Sequence, residues 1–216
     1  MNKYKNQSKY CYPGTDILIN KFDEQDPEKL KKLEVIFTTR RIYQLYKKPI
    51  SGAFGLKHLQ KIHKFIFKDV YPFAGEIRDE GIAKGSTRFA TPMYIHNNGL
   101  EISKQLKDEK YLRGLDKEKF IQRLSYYMSE VNFLHPFPEG NGRTQREYFR
   151  LLGLKNGFNI DWSKIDEETM IKASIRSVLN SDSFEEIFNQ AIVNEVPDMN
   201  LINQFNRISK NKGLEL

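Results

Sequence analysis

Phe120, Leu124, Tyr127, Met128, Val131 and Leu134 recur at i, i+4, i+7, i+8, i+11 and i+14. A strand would put its apolar residues two apart, so this spacing selects an α-helix with one buried face. Thr144, Tyr148, Leu151 and Leu152 repeat the period until Gly153 and Asn156-Gly157 supply stop signals. Similar patterns predict helices near 27–48, 55–69, 98–113, 166–180 and 183–195, with a short helix and frayed end beyond Pro197. No internal repeat or low-complexity linker interrupts them. The chain of 216 residues therefore reads as one all-α domain, and 39% apolar residues with 12% aromatics suffice for its core.

No apolar run is long enough to span a bilayer, and residues 1–13 lack the apolar centre of a signal peptide. The single Cys11 cannot close an internal disulfide. These features predict a cytoplasmic chain without membrane association, or one delivered into a host cell by a signal-less route. The net charge of +7 is uneven: residues 159–198 carry three Lys/Arg and nine Asp/Glu, a net of −6, so the remainder carries +13. The basic residues (Lys29, Lys31, Lys32, Arg40, Arg41, Lys47, Lys48) lie scattered through amphipathic stretches and form no long tract. Solvated helix faces and an anion site are expected, and direct nucleic-acid binding is not.

The helical period breaks between Gly75 and Tyr94, "GEIRDEGIAKGSTRFATPMY", which has three glycines, a proline and β-branched residues. That composition predicts a loop or short hairpin, and a long irregular excursion in a helical domain tends to be functional. A second break, "HPFPEGNGRTQR" at 135–146, separates two predicted helices. The start of the second, near Gly142 or Arg143, offers unpaired N–H groups and the positive dipole end to an anion. Gly140 and Gly142 are read as positive-φ positions forming an anion nest. Arg143 and Arg146, three apart, share a helix face and can reach one polyphosphate. Glu139 is a hard oxygen ligand suited to Mg²⁺ bound jointly with phosphates. His135 is a candidate proton acceptor for an incoming hydroxyl, and Phe137 an inward anchor.

"HPFPEGNGR" followed by "TQR" resembles the signature of Fic-domain proteins of the Fic/Doc family, His-Pro-Phe-x-(Asp/Glu)-Gly-Asn-Gly-Arg-x-x-Arg, at every specified position. "YPFAGEIR" at 71–78 and "KGSTRFATP" at 84–92 resemble the family's segments before and within its flap. The resemblance implies an all-α Fic fold, a helical bundle with a small β-hairpin flap ahead of the motif, spanning 30–195. Residues 1–29 are then an N-terminal extension and 196–216 a C-terminal helix and tail. It implies Mg²⁺-dependent transfer of AMP from ATP to a Ser, Thr or Tyr hydroxyl of a target protein, in a toxin-like or effector-like role. His135 would be the catalytic base and Glu139 the metal ligand. Gly140, Asn141 and Gly142 would bind near the α-phosphate, and Arg143 and Arg146 the outer phosphates. The flap residues Lys84, Gly85, Ser86, Thr87, Arg88 and Phe89 would clamp the target by strand addition.

Alternatives are transfer of another phosphate-linked group, such as phosphocholine or a phosphoryl group, and a non-enzymatic nucleotide- or nucleic-acid-binding regulator. Phosphorylating relatives resemble "ANK" where this chain has Gly140-Asn141-Gly142, which disfavours kinase activity, and binding alone requires neither His135 nor Glu139. Many relatives also carry an inhibitory Ser/Thr-x-x-x-Glu-Gly/Ala-Asn helix whose glutamate pairs with the second arginine, here Arg146. Ser181 and Glu185 have its first spacing, but Glu186-Ile187 follows. The expectation is an uninhibited chain, restrained by a separate small antitoxin-like protein that supplies the glutamate, with Glu185 or Glu186 as a degenerate internal alternative.

Overall fold

The structure, a computed structural model, describes residues 8–84 and 87–211. Its helices are α1 (Pro27–Lys47), α2 (Leu56–Phe67), α3 (Pro92–Asp108), α4 (Lys117–Leu134), α5 (Asn141–Lys155), α6 (Glu167–Arg176), α7 (Glu185–Ala191) and α8 (Met199–Asn211). The predicted stripe of α4 is buried at every position named for it. With two sides thus covered, α4 packs against α3, α5 and α7, while α5 packs against α2 and α8. Local chemistry sets the ends. Asp26 caps α1 through the N–H groups of Glu28 and Lys29, with Pro27 at the first position, and Asp116 and Asp166 cap α4 and α6.

One predicted boundary is corrected. α3 begins at Pro92, six residues before the expected 98, and ends at Asp108, ahead of a 3₁₀ turn at Lys110–Leu112. Pro92 sits in the first turn, where its missing N–H costs nothing, so a residue read as loop punctuation starts a helix. The irregular segment is correspondingly shorter. Its hairpin pairs β1 (Ala83–Lys84) with β2 (Thr87–Arg88), Ala83 opposite Arg88 and Lys84 opposite Thr87. Gly85 and Ser86, expected among the target-binding residues of the flap, lie outside the described residues.

Residues 8–26 pack along the segment that leads to the hairpin. Tyr10 and Cys11 are buried, the Tyr10 hydroxyl donates to Asp79 at 2.9 Å, and the Ser8 hydroxyl donates to Glu80 at 2.7 Å. Among the described residues, no helix is long and apolar enough to cross a membrane.

Arg78 ties these parts together. It is 1% exposed, and its guanidinium donates to the carbonyls of His135 (2.7 Å), Glu80 (2.7 Å), Ala90 (2.6 Å) and Leu134 (3.3 Å). Its backbone N–H donates to Pro136 O at 2.9 Å. Carbonyls at a helix end and in a loop have no helical partner, and burying them unpaired is costly. One side chain satisfies four. Arg78→Met is expected to lose about 3–5 kcal/mol by leaving buried acceptors unpaired. Thermal unfolding should show a Tm lowered by about 6–20 °C, and an unchanged Tm would refute this role.

Candidate active site

The motif begins where α4 stops. His135 takes the left-handed conformation (φ 43, ψ 59), which a helix cannot continue, and caps α4 by donating its N–H to Val131 O at 3.1 Å. With its carbonyl held by Arg78, the backbone of His135 is fixed on both sides. Its ring Nδ1 lies 3.2 Å from Asn132 O. A carbonyl only accepts, so Nδ1 carries a hydrogen, which in the neutral imidazole leaves the lone pair on Nε2. Phe89, expected among the target-gripping residues, stacks its ring on the imidazole at 3.7 Å and 17°. It therefore acts on the histidine's orientation.

The loop after His135 is fastened from within. Both polar atoms of the Asn141 side chain bond to Phe137, Oδ1 accepting from its N–H at 2.9 Å and Nδ2 donating to its carbonyl at 2.7 Å. The Asn141 side chain is thus engaged in holding the loop, and its backbone N–H stands at the head of α5. Phe137 is 1% exposed and stacks on His63 with ring centroids 4.0 Å apart. His63 accepts at Nδ1 from Gly75 N–H (2.8 Å), so its Nε2–H donates to the Glu139 carbonyl, also at 2.8 Å. A buried histidine of α2 thereby links the hairpin segment to the motif.

The two glycines differ. Gly140 has φ 76, and a Cβ there would come within 2.1 Å of the Phe67 ring. Gly142 lacks the positive φ read from the sequence, because α5 already starts at Asn141 and Gly142 lies within its first turn. A Cβ at Gly142 would meet only the Arg146 guanidinium, at 3.5 Å. Its smallness therefore keeps space open beside that cation.

The two arginines differ as well. Arg143 donates to Glu34 of α1 at 2.7 Å and to the Thr38 hydroxyl at 3.2 Å, and lies 4.7 Å from the centroid of the Phe67 ring. Glu34 also accepts from the Tyr71 hydroxyl. Burial, with Glu34 close by, pushes that phenol far above its usual range. Glu139 stands 4.0 Å from Arg143 and takes the Gly140 N–H at 2.8 Å. Arg146 makes no ion pair among the described residues, and burial with Arg143 nearby lowers its pKa below the usual guanidinium value. Such a cation gains most from an arriving anion. Glu185 lines a separate groove beside Lys117 and Glu195, away from Arg146.

These groups line one cleft of about 600 Å³, with His135 and Thr87 at the hairpin side and Glu139, Arg143 and Arg146 along the head of α5. The facing wall comes from residues the sequence did not single out: Trp162, Ile165, Met170, Ile171 and Ile175. Trp162 is fixed by donating its indole N–H to Arg146 O at 2.9 Å. Asn132 holds α6 against α4 by donating to Ser174 O (2.8 Å) and Ser177 Oγ (2.9 Å). In the sequence this wall looks like ordinary helical apolar periodicity, and only its unfilled facing space marks it as a site. Glu34 was missed because it lies 109 residues before its partner.

The Fic/DOC family model matches residues 53–152. The chain is 42% identical over 184 residues to the protein adenylyltransferase VbhT of Bartonella schoenbuchensis, covering 84% of this chain and 38% of VbhT. It is 34% identical over 165 residues to the "Probable protein adenylyltransferase Fic" of Escherichia coli K12, covering 76% and 82%. Among solved structures it is similar to the N-terminal Fic domain of a VirB-translocated Bep effector from Bartonella quintana with bound ADP. There the TM-score is 0.81 at 25% identity, covering 92% of this chain and all of that one.

The glycine geometry separates two substitutions. Gly140→Ala should cost about 2–5 kcal/mol, from the left-handed strain and the collision with Phe67. Gly142→Ala should fold at least as well as the parent, gaining about 0.5–1 kcal/mol of helix propensity. Chemical denaturation of both variants checks the ordering, and equal stabilities would contradict the close approach at Gly140.

Proposed function

The chain belongs to the Fic/DOC family, and from that premise we propose a protein adenylyltransferase that moves AMP from ATP to a Ser, Thr or Tyr hydroxyl of a target protein. The observation that carries this is the single cleft that joins a histidine lone pair, a carboxylate, a helix start and two arginines. The working unit is residues 30–195, flanked by the extension 1–29 and the tail 196–216. It acts in the cytoplasm or in a cell that receives it.

His135 Nε2 accepts the proton of the target hydroxyl as its oxygen bonds to the α-phosphorus, and the bond to the β-phosphate oxygen breaks, releasing pyrophosphate. The backbone N–H groups of Asn141, Gly142 and Arg143 point at charge that grows on the α-phosphate in the transition state. Arg143, pre-oriented by Glu34 and Thr38, and Arg146 hold the outer phosphates. The apolar wall takes the adenine. The hairpin edge at Lys84–Arg88 aligns the target segment through backbone hydrogen bonds.

Mg²⁺ fits this donor set. Glu139 offers one partly exposed carboxylate beside the phosphate position, and no cluster of three or more His, Cys, Asp or Glu among the described residues could cage a metal. Mg²⁺ is usually held by one or two carboxylates together with substrate phosphates and water. When bound, it supplies positive charge to the phosphates. Because Arg146 makes no ion pair among the described residues, and Glu167 acts on it only through space, the isolated chain binds ATP without an internal block. Restraint comes from a separate small protein that brings a glutamate to Arg146.

With ATP and a lysate, label at the α-phosphate should enter protein and label at the γ-phosphate should not. His135→Ala should lower single-turnover transfer by about 10²–10⁴ while ATP still quenches or shifts the fluorescence of Trp162, the one tryptophan. Gly142→Ala should weaken that fluorescence response. Stable γ-label in protein, or wild-type transfer by the His135 variant, would overturn the assignment.

A further inference from the structure

Residues 41–68 contain seven lysines and arginines and no aspartate or glutamate. The fold gathers them. The second half of α1, the turn after it and the outer face of α2 enclose a groove of about 750 Å³. Its rim is Lys47, Lys48, Lys61, Lys64 and Lys68, and Tyr43, Ile50 and Phe65 line it between them. Lys61 and Lys64 are three apart on α2, where like charges repel, and Lys68 caps its end. Lysines on a merely solvated face usually alternate with acids that offset such repulsion. Here Asp69, the carboxylate that follows Lys68 directly, is held bidentately by Arg41 at 2.6 and 2.9 Å.

We propose that this groove docks an acidic amphipathic helix of a partner protein, its apolar side against Tyr43, Ile50 and Phe65 and its carboxylates against the five lysines. The chemistry of the lining selects this occupant. An apolar floor takes aliphatic side chains, and flexible ammonium groups reach carboxylates at either edge. The 12 residues of α2 span about 18 Å, room for three turns of a partner helix. Nucleic acid is the poorer match. A nucleic-acid surface pairs such a rim with guanidiniums that fork phosphates and stack on bases, and this rim is lysine throughout. Arg41, the arginine in the groove's lining, is spent on Asp69.

The groove is separate from the cleft and independent of the catalytic reading. Phe65 faces it, while Phe67, two residues on, points the other way under Gly140 and Arg143. A partner can occupy it without touching His135.

The test uses the full chain and a fluorescein-labelled 18-residue helical peptide with leucines at i, i+3, i+4 and i+7 repeats and glutamates elsewhere. Fluorescence anisotropy should show saturable binding that weakens with salt. A peptide of the same composition with its leucines spread around the helix should bind at least tenfold more weakly. The triple variant Lys61→Glu/Lys64→Glu/Lys68→Glu, its Tm checked against the parent, should lose at least tenfold in affinity. Lys104→Glu/Lys107→Glu on α3 should lose none. Absent binding, equal affinity for the rearranged peptide, an unaffected triple variant, or tighter binding of a 20-base-pair duplex or phosphatidylserine vesicles would each overturn the proposal.

Discussion

The Arg78 guanidinium, enclosed by four backbone carbonyls, is the interaction on which the site depends. A buried cation is tolerable only when its donors are satisfied, and here the acceptors come from the end of α4, from His135 and from both flanks of the hairpin. The same contact therefore fixes where α4 stops, the conformation of His135 and the position of the hairpin. Phe89 then lies on the imidazole because Ala90 is held twice, by Arg78 and through its own N–H to Phe133 O at 3.0 Å. A carboxylate could neutralise Arg78 but could not pin three strands of chain at once.

From that anchor the cleft is assembled by ends of helices rather than by their faces. α4 delivers His135 at its C-terminus, and α5 delivers N–H groups at its start, with six residues between the two helices. Two such ends can face one ligand only if the intervening loop is rigid. Asn141 clasps Phe137, His63 holds Glu139, and Phe67 fills the space that only a glycine at 140 leaves. Rigidity of this kind is what preorganised stabilisation of a growing negative charge requires, because no donor has to reorganise at the moment of reaction.

Much of this was legible in the sequence, and the parts that were not share a cause. The stripe of α4 and the spacing from His135 to Arg146 are local patterns, so period and motif revealed them. Pro92 was read as a loop residue because the same property, a fixed φ without an N–H, serves turns and helix starts alike. Gly142 was read as a positive-φ residue because absence of a side chain does not say which freedom is used; here it is space and not backbone angle. Glu34 and the apolar wall on α6 depend on contacts between distant segments, which no spacing records. Arg78 lay within a recognisable segment, yet its partners are carbonyls, and every residue has one.

The pair of arginines shows how the fold divides a charge that the sequence presents as equal. Arg143 is held by Glu34 and Thr38, with Glu139 nearby, so its charge is already partly compensated and its geometry set. Arg146 lies under a backbone fastened by Trp162, where desolvation and Arg143 work against its charge and Glu167 partly offsets them. An incoming anion relieves that penalty at Arg146 far more than at Arg143. In the proposed reaction Arg143 would set direction, and Arg146 would supply the greater part of the electrostatic gain. The same asymmetry suits the proposed control, since a carboxylate delivered to Arg146 would compete with phosphate at a desolvated guanidinium that Glu167 offsets only through space.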